Sequence, residues 1–180
     1  MITLVTGGAR SGKSRHALEL AGSPRPKAFI ATAQAIDVEM QQRIDAHRRE
    51  RDASFLTVEA PHDLAHAIAD LPGDIQGAVV DCLTVWLGNL VHLASTAGTD
   101  DKALSQLTTF PEIADLLDLL DQPPAVDLIL VTNEVGMGIV PASPMGRAFR
   151  DLAGALNQAV AARADRVILM VSGLPMPVRG

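Results

Sequence analysis

Gly7-Gly8-Ala9-Arg10-Ser11-Gly12-Lys13-Ser14 sets three glycines and a Lys-Ser pair at the spacing G-x-x-x-x-G-K-[ST]. Glycines in such a loop let main-chain N–H groups turn inward around an anion. A lysine at this point reaches the outer phosphates of a nucleoside triphosphate, and the serine hydroxyl ligates Mg²⁺. Placement matters as much as spacing. The apolar run Ile2–Thr6 precedes the loop and a helical pattern from Lys13 to about Ala21 follows it. The loop therefore joins a buried strand to a helix N-terminus, whose positive end adds to the attraction for phosphate. A glycine turn with an accidental lysine is the competing reading, and it accounts for neither flank.

Phosphate-loop chemistry also needs a carboxylate beyond the sheet to hold the magnesium. Gly77-Ala78-Val79-Val80-Asp81 is an apolar strand ending in an acid, and Leu128–Glu134 repeats the pattern one strand later. Ligands of open α/β sheets sit at the carboxyl ends of strands, so Asp81 and Glu134 are both placed to serve. Each acid is equally suited to capping a following helix. A third signal lies in residues 36–51. At about 100° per residue, Ile36, Met40, Ile44 and His47 share one stripe of a helix, with Arg43 and Arg51 beside it. A neutral imidazole among arginines can attack phosphorus, since neighbouring cations lower its pKa. The same periodicity equally suits a half-buried histidine bonded to a main-chain carbonyl. His62 and His66 stand four apart but lack a third ligand for a metal.

The elements that must position these groups follow from the hydrophobic pattern. Strands are expected at Ile2–Thr6, Lys27–Thr32, Phe55–Val58, Ala78–Asp81, Val126–Thr132 and, last, Arg166–Val171. Helices are expected over 13–21, 36–51, 63–70, 83–94, 111–120 and 145–163, and residues 95–109 read as an irregular surface excursion. Apolar strands alternating with helices imply a mostly parallel sheet covered on both faces, an α/β architecture of the P-loop type. With 180 residues and no linker or repeat, one domain spanning 1–180 is expected. Nine of the fifteen Lys and Arg fall within residues 1–51 although the net charge is −6, which points to local anion handling rather than a nucleic-acid surface. Aromatics make up 3% with no tyrosine, removing the usual stacking platforms for single strands. One cysteine, Cys82, excludes an intrachain disulfide and fits a reducing compartment. No apolar run is long enough for a membrane span, and the first residues do not read as a signal peptide.

Taken in order, these segments resemble the bifunctional adenosylcobinamide kinase/adenosylcobinamide-phosphate guanylyltransferases of cobalamin biosynthesis. The resemblance covers nearly the whole chain. It runs from Leu4–Ser14 through Ile30-Ala31-Thr32-Ala33, Met40–Arg48 and Thr57-Val58-Glu59 to Asp81-Cys82-Leu83-Thr84 with Trp86 and Asn89. It continues in Val131–Pro141, Phe149-Arg150-Asp151, Asn157-Gln158, Ala164-Asp165 and Ser172-Gly173-Leu174-Pro175. Asp52 and Phe55 stand where the family usually has Pro and Trp. The resemblance implies that His47 becomes guanylylated. It further implies that residues 7–14, Ala31, Thr32, Ala33, Arg48, Arg49, Glu50, Arg51, Glu59 and Asp81 line a guanine-nucleotide site. Mg²⁺ on Ser14 and Asp81, GTP and ATP as substrates, adenosylcobinamide and its phosphate as acceptors, a homo-oligomer and a cytoplasmic setting complete the expectation.

Overall fold

The structure is a computed structural model that describes residues 1–22, 26–34, 54–100, 102–122 and 126–180. Seven strands form one sheet: β1 (Ile2–Gly7), β2 (Lys27–Ala31), β3 (Phe55–Glu59), β4 (Gly77–Asp81), β5 (Asp127–Val131), β6 (Arg166–Val171) and β7 (Leu174–Arg179). Their spatial order is β3-β2-β4-β5-β1-β6-β7. All neighbours run parallel except β6 and β7. The described helices are α1 (Lys13–Leu20), α2 (Leu64–Ala69), α3 (Leu83–Thr96), α4 (Pro111–Asp121) and α5 (Pro144–Arg163). The helix expected over 36–51 lies outside the described residues.

The central strands are apolar on both sides because both sides are covered, which is why they read as continuous runs rather than alternating ones. Ile30, Val80, Leu130 and Leu4 face a large core built with α2–α5, where Trp86, Leu87, Leu116, Leu156 and Val160 are buried. Phe29, Val79, Ile129, Val131 and Val5 face a smaller cluster with Ala17 and Ala21 at and just beyond α1. Two features depart from expectation. Residues 103–105 and 107–109 form short 3₁₀ turns, and Leu104 and Phe110 are buried, so this excursion caps the core rather than skirting it. Arg166–Val171 is not the last strand. β7 follows it through a tight turn at Ser172-Gly173, both with positive φ. Its Pro175 and Pro177 argue against a strand in sequence, yet proline is tolerated at a sheet edge, where β7 lies.

Candidate active site

Register determines what the strands deliver to the carboxyl edge. Ala31 is paired with Glu59 on one side and Asp81 on the other, and Asp81 with Val131, which pairs with Val5. Glu59, Ala31 and Asp81 thus form one row across three strands. At the ordinary strand spacing the two acids are about 10 Å apart. They share the sheet face that α1 covers, and the phosphate loop opens at the end of β1 just beyond Val5 and Thr6. The sequence-predicted residues at 7–14, 31–33, 59 and 81 are therefore gathered at one edge. His47, Arg48, Arg49, Glu50 and Arg51 lie outside the described residues.

The loop itself is held tightly. Gly7 has φ +148°, and a Cβ there would come within 2.5 Å of the Met170 carbonyl oxygen, so no other residue fits. Gly12 begins α1 with φ +94°, and its added Cβ would meet Gly173 Cα at 3.4 Å. The β6–β7 turn thus presses on the loop from outside, and the Gly173 N–H donates to the Ser11 carbonyl at 3.0 Å. Ser14 is half-buried in the first turn of α1, while Gly8, Ala9 and Arg10 are exposed. Lys13 is buried; its Nζ donates to the Gly8 carbonyl at 2.6 Å and lies 3.4 Å from Ser11 Oγ. Burial pushes the Lys13 pKa down, while the carboxylates of Asp81 and Glu134 oppose that shift by their negative charge. The ammonium therefore sits in the field of both strand-end acids. Burial, reinforced by Asp81, raises the Cys82 thiol to about 12, so it stays protonated and inert.

Two polar clusters flank the loop. On the β2–β4 side, the Thr32 hydroxyl donates to the Cys82 carbonyl at 2.9 Å and accepts from the Cys82 N–H at 2.8 Å. Asn89 Nδ2 donates to the carbonyls of Thr32 and Pro61, and Trp86 Nε1 to that of His62. On the β1–β5 side, the Thr6 hydroxyl donates to Glu134 Oε1, and Asn157 Nδ2 lies 3.4 Å from the same oxygen. Asn157 Oδ1 accepts from Thr132 Oγ1, which shares a hydrogen bond with Thr84 Oγ1, and Thr84 in turn accepts from the Asn133 N–H. The Glu134 N–H donates to the Gly7 carbonyl at 3.1 Å, fastening the end of β5 to the phosphate loop. Sequence reading named Glu134 but missed Asn157 as its partner. The signal was available, since Asn157 is a polar residue inside the buried stripe Ala153, Leu156, Val160 of α5.

Beyond Glu134, the segment to Pro141 exposes Met137, Ile139 and Val140. Arg147 Nη1 fastens its far end by donating to the Pro141 and Ala142 carbonyls. A groove of about 480 Å³ opens on the other side, beside β3 and α2, lined among others by Glu59, His62, Asp63, His66 and Asp70. The described residues hold no group of three or more His, Cys, Asp or Glu suited to a metal ion. Mg²⁺ bound with a nucleotide does not need one, because one or two protein oxygens complete a shell of phosphates and water. The hydroxyl of Ser14 and the carboxylate of Asp81 are hard oxygen donors of that kind.

A phosphate loop on a strand next to an inserted β5, with the acid-bearing β4 beyond it, narrows the fold but not the reaction. The family model described as cobinamide kinase / cobinamide phosphate guanyltransferase matches residues 3–178. The chain belongs to this family. The bifunctional adenosylcobalamin biosynthesis protein CobU of Salmonella typhimurium is 43% identical over 99% of this chain and 100% of its own length. The Escherichia coli K12 protein of the same name is also 43% identical over 99% of this chain and all of its own length. The corresponding CobP of Pseudomonas aeruginosa is 42% identical over 100% of this chain and 98% of its own. Among solved structures, the type III secretion ATPase EscN of enteropathogenic E. coli superposes with a TM-score of 0.57 at 11% identity, covering 95% of this chain. A second type III secretion ATPase superposes with a TM-score of 0.55 at 10% identity, covering 93% of this chain. This chain spans only 43% and 50% of those two ATPases, and at such identity the likeness bears on fold alone: it is P-loop NTPase-like. Among the described residues, no helix of this cobinamide kinase/guanyltransferase family member is long and apolar enough to cross a membrane.

Proposed function

We propose that this enzyme performs two transfers within a single domain spanning residues 1–180. In the first, ATP or GTP gives its γ-phosphoryl group to the aminopropanol hydroxyl of adenosylcobinamide. In the second, a His47 nitrogen attacks the α-phosphorus of GTP and pyrophosphate leaves. The phosphate of adenosylcobinamide phosphate then displaces His47 to give adenosylcobinamide-GDP. A covalent intermediate divides one difficult displacement into two easier ones. The observation that carries the reading is an intact phosphate loop, with Lys13 buried in it, in a chain that matches the family over residues 3–178.

Residues 7–14, 31–33, 48–51, Glu59 and Asp81 hold the guanine nucleotide in this reading. Lys13 and the loop N–H groups spread the charge that builds on the transferring phosphoryl group, where most catalysis of this chemistry arises. Ser14 and Asp81 hold Mg²⁺, which when bound neutralises phosphate charge. The acidic net charge of −6 suits small-molecule partners rather than nucleic acid. The enzyme acts as a homo-oligomer in the cytoplasm.

Intact mass after incubation with GTP and Mg²⁺ tests the reading. One GMP should be added through an acid-labile, base-stable bond, and His47→Ala should lose both the adduct and guanylyl transfer while keeping most kinase activity. An adduct that persists in the alanine variant removes His47 as the nucleophile. A wild-type protein that transfers GMP without any adduct removes the covalent route.

A further inference from the structure

We propose that Glu134 is the catalytic base of the first transfer, taking the proton of the acceptor hydroxyl as its oxygen attacks the γ-phosphorus. This rests on the two-transfer reading given above and adds a residue to which that reading assigns no role.

The placement argues for it. β5 lies between the phosphate-loop strand β1 and the Asp81 strand β4, so whatever follows β5 stands at the middle of the site. Glu134 is fastened there by its own N–H to the Gly7 carbonyl, which fixes its main chain against the first residue of the loop. Its side chain is neither buried in the core nor free on the surface, being half-exposed at the mouth of the loop. The Thr6 hydroxyl and Asn157 amide both meet Oε1, leaving Oε2 without either of these donors. Asn157 is itself oriented from behind, since its Oδ1 accepts from Thr132 and its Nδ2 also donates to the Asn133 carbonyl at 3.0 Å. A carboxylate anchored through one oxygen at the edge of a phosphate loop is the arrangement of a base that orients a hydroxyl nucleophile. Lys13, the lysine of the phosphate loop, lies in the field of this carboxylate.

The step balances with the substrates of the kinase reaction. The acceptor O–H proton passes to Glu134, and the acceptor oxygen forms its bond to the γ-phosphorus. The bond from that phosphorus to the β,γ-bridging oxygen breaks, and its electron pair leaves on the nucleoside diphosphate. No such proton needs removal when an imidazole or an ionised phosphate attacks, so Glu134 serves the first transfer and not the second.

Glu134→Gln keeps the shape and can still accept from Thr6. Its kinase kcat with adenosylcobinamide and ATP should fall by about 10²-fold or more. GTP-dependent GMP loading of the protein, and transfer to pre-formed adenosylcobinamide phosphate, should stay within about twofold of wild type. The acid limb of the wild-type kcat–pH profile should vanish from the residual activity. Kinase activity retained by the glutamine variant overturns the assignment. So does an equal loss of phosphoryl transfer and GMP loading, which points to nucleotide binding instead. Wild-type protein that loads GMP yet never phosphorylates adenosylcobinamide overturns the kinase half of the two-transfer reading, and Glu134 as its base with it; that failure is recognised in the wild type, before any variant is compared.

Discussion

On the β2–β4 side of the phosphate loop, Thr32, Asn89 and Trp86 bond to main-chain groups of Cys82, Thr32, Pro61 and His62. On the β1–β5 side, Thr6, Asn157, Thr132 and Thr84 bond largely to one another and end on the carboxylate of Glu134. The first cluster fixes where loops go. The second fixes where a charge goes. Both are built from neutral side chains, hydroxyls and amides with one indole on the first side, so charge does not separate them; the identity of the final partner does. Damage to the first should therefore act through folding, and damage to the second through chemistry.

Lys13 lies between the two clusters and carries the largest expected effect. Lys13→Ala should lower kinase kcat by about 10³-fold, the scale for removing a principal charge stabiliser from a phosphoryl-transfer site. Its melting temperature should move little, because the buried ammonium contributes charge at a desolvation cost. Steady-state kinetics beside a thermal melt separates the two effects. A variant that unfolds would place Lys13 with the loop-fixing cluster, and one that retains turnover would remove it from catalysis.

A paired substitution sharpens the comparison. Thr32→Val strips both hydrogen bonds from the buried Cys82 main chain and should cost about 2–3 kcal/mol. Its kinase and GMP-loading activities should fall together. Thr132→Val loosens Asn157 and should cost about 1–2 kcal/mol, with kinase activity falling further than GMP loading. Urea melts and the ratio of the two activities read both outcomes. An unchanged ratio in Thr132→Val would mean that the two clusters are alike after all.

Much of this was legible in the sequence, for specific reasons. The parallel strands announce themselves because burial on both faces demands continuous apolar runs such as Leu128–Val131. The phosphate loop is legible because its glycines answer local needs, Gly7 for its close approach to Met170 above all. Asp81 and Glu59 were each visible as strand-end acids or through resemblance, but their alignment with Ala31 was not, since periodicity says nothing of register. The Thr6–Glu134–Asn157 cluster draws on three distant segments, and spacing along the chain cannot reveal such a meeting. β7 was hidden by Pro175 and Pro177, whose missing N–H groups are tolerated because the strand forms an edge. The role expected of His47 came from resemblance, since its helical stripe suits a structural histidine equally well.

The smallest expected effect concerns the groups at which both clusters meet the loop. Cys82 holds its proton in the folded protein up to about 12, against 9.0 for an ordinary thiol. The folded state therefore binds that proton more tightly than the unfolded chain. Its contribution is fully present below pH 9 and is lost as pH rises toward 12, at about 1.4 kcal/mol per unit within that window. Lys13 works in the opposite sense. Its pKa is lowered in the folded state, so the unfolded chain binds the extra proton, and stability gains with pH until the ordinary value of 10.5 is passed. The sequence has no tyrosine, so phenol titration does not obscure the alkaline range. Between pH 9 and 10 the two slopes oppose each other in wild type, and the urea midpoints should change least there. They should rise with pH in Cys82→Ala, where only the lysine slope remains, and fall in Lys13→Met, where only the thiol slope remains. Parallel profiles in all three proteins would show that neither group is desolvated as its burial requires. The loop would then be more open to water than the contacts of Gly7, Gly12 and Gly173 allow.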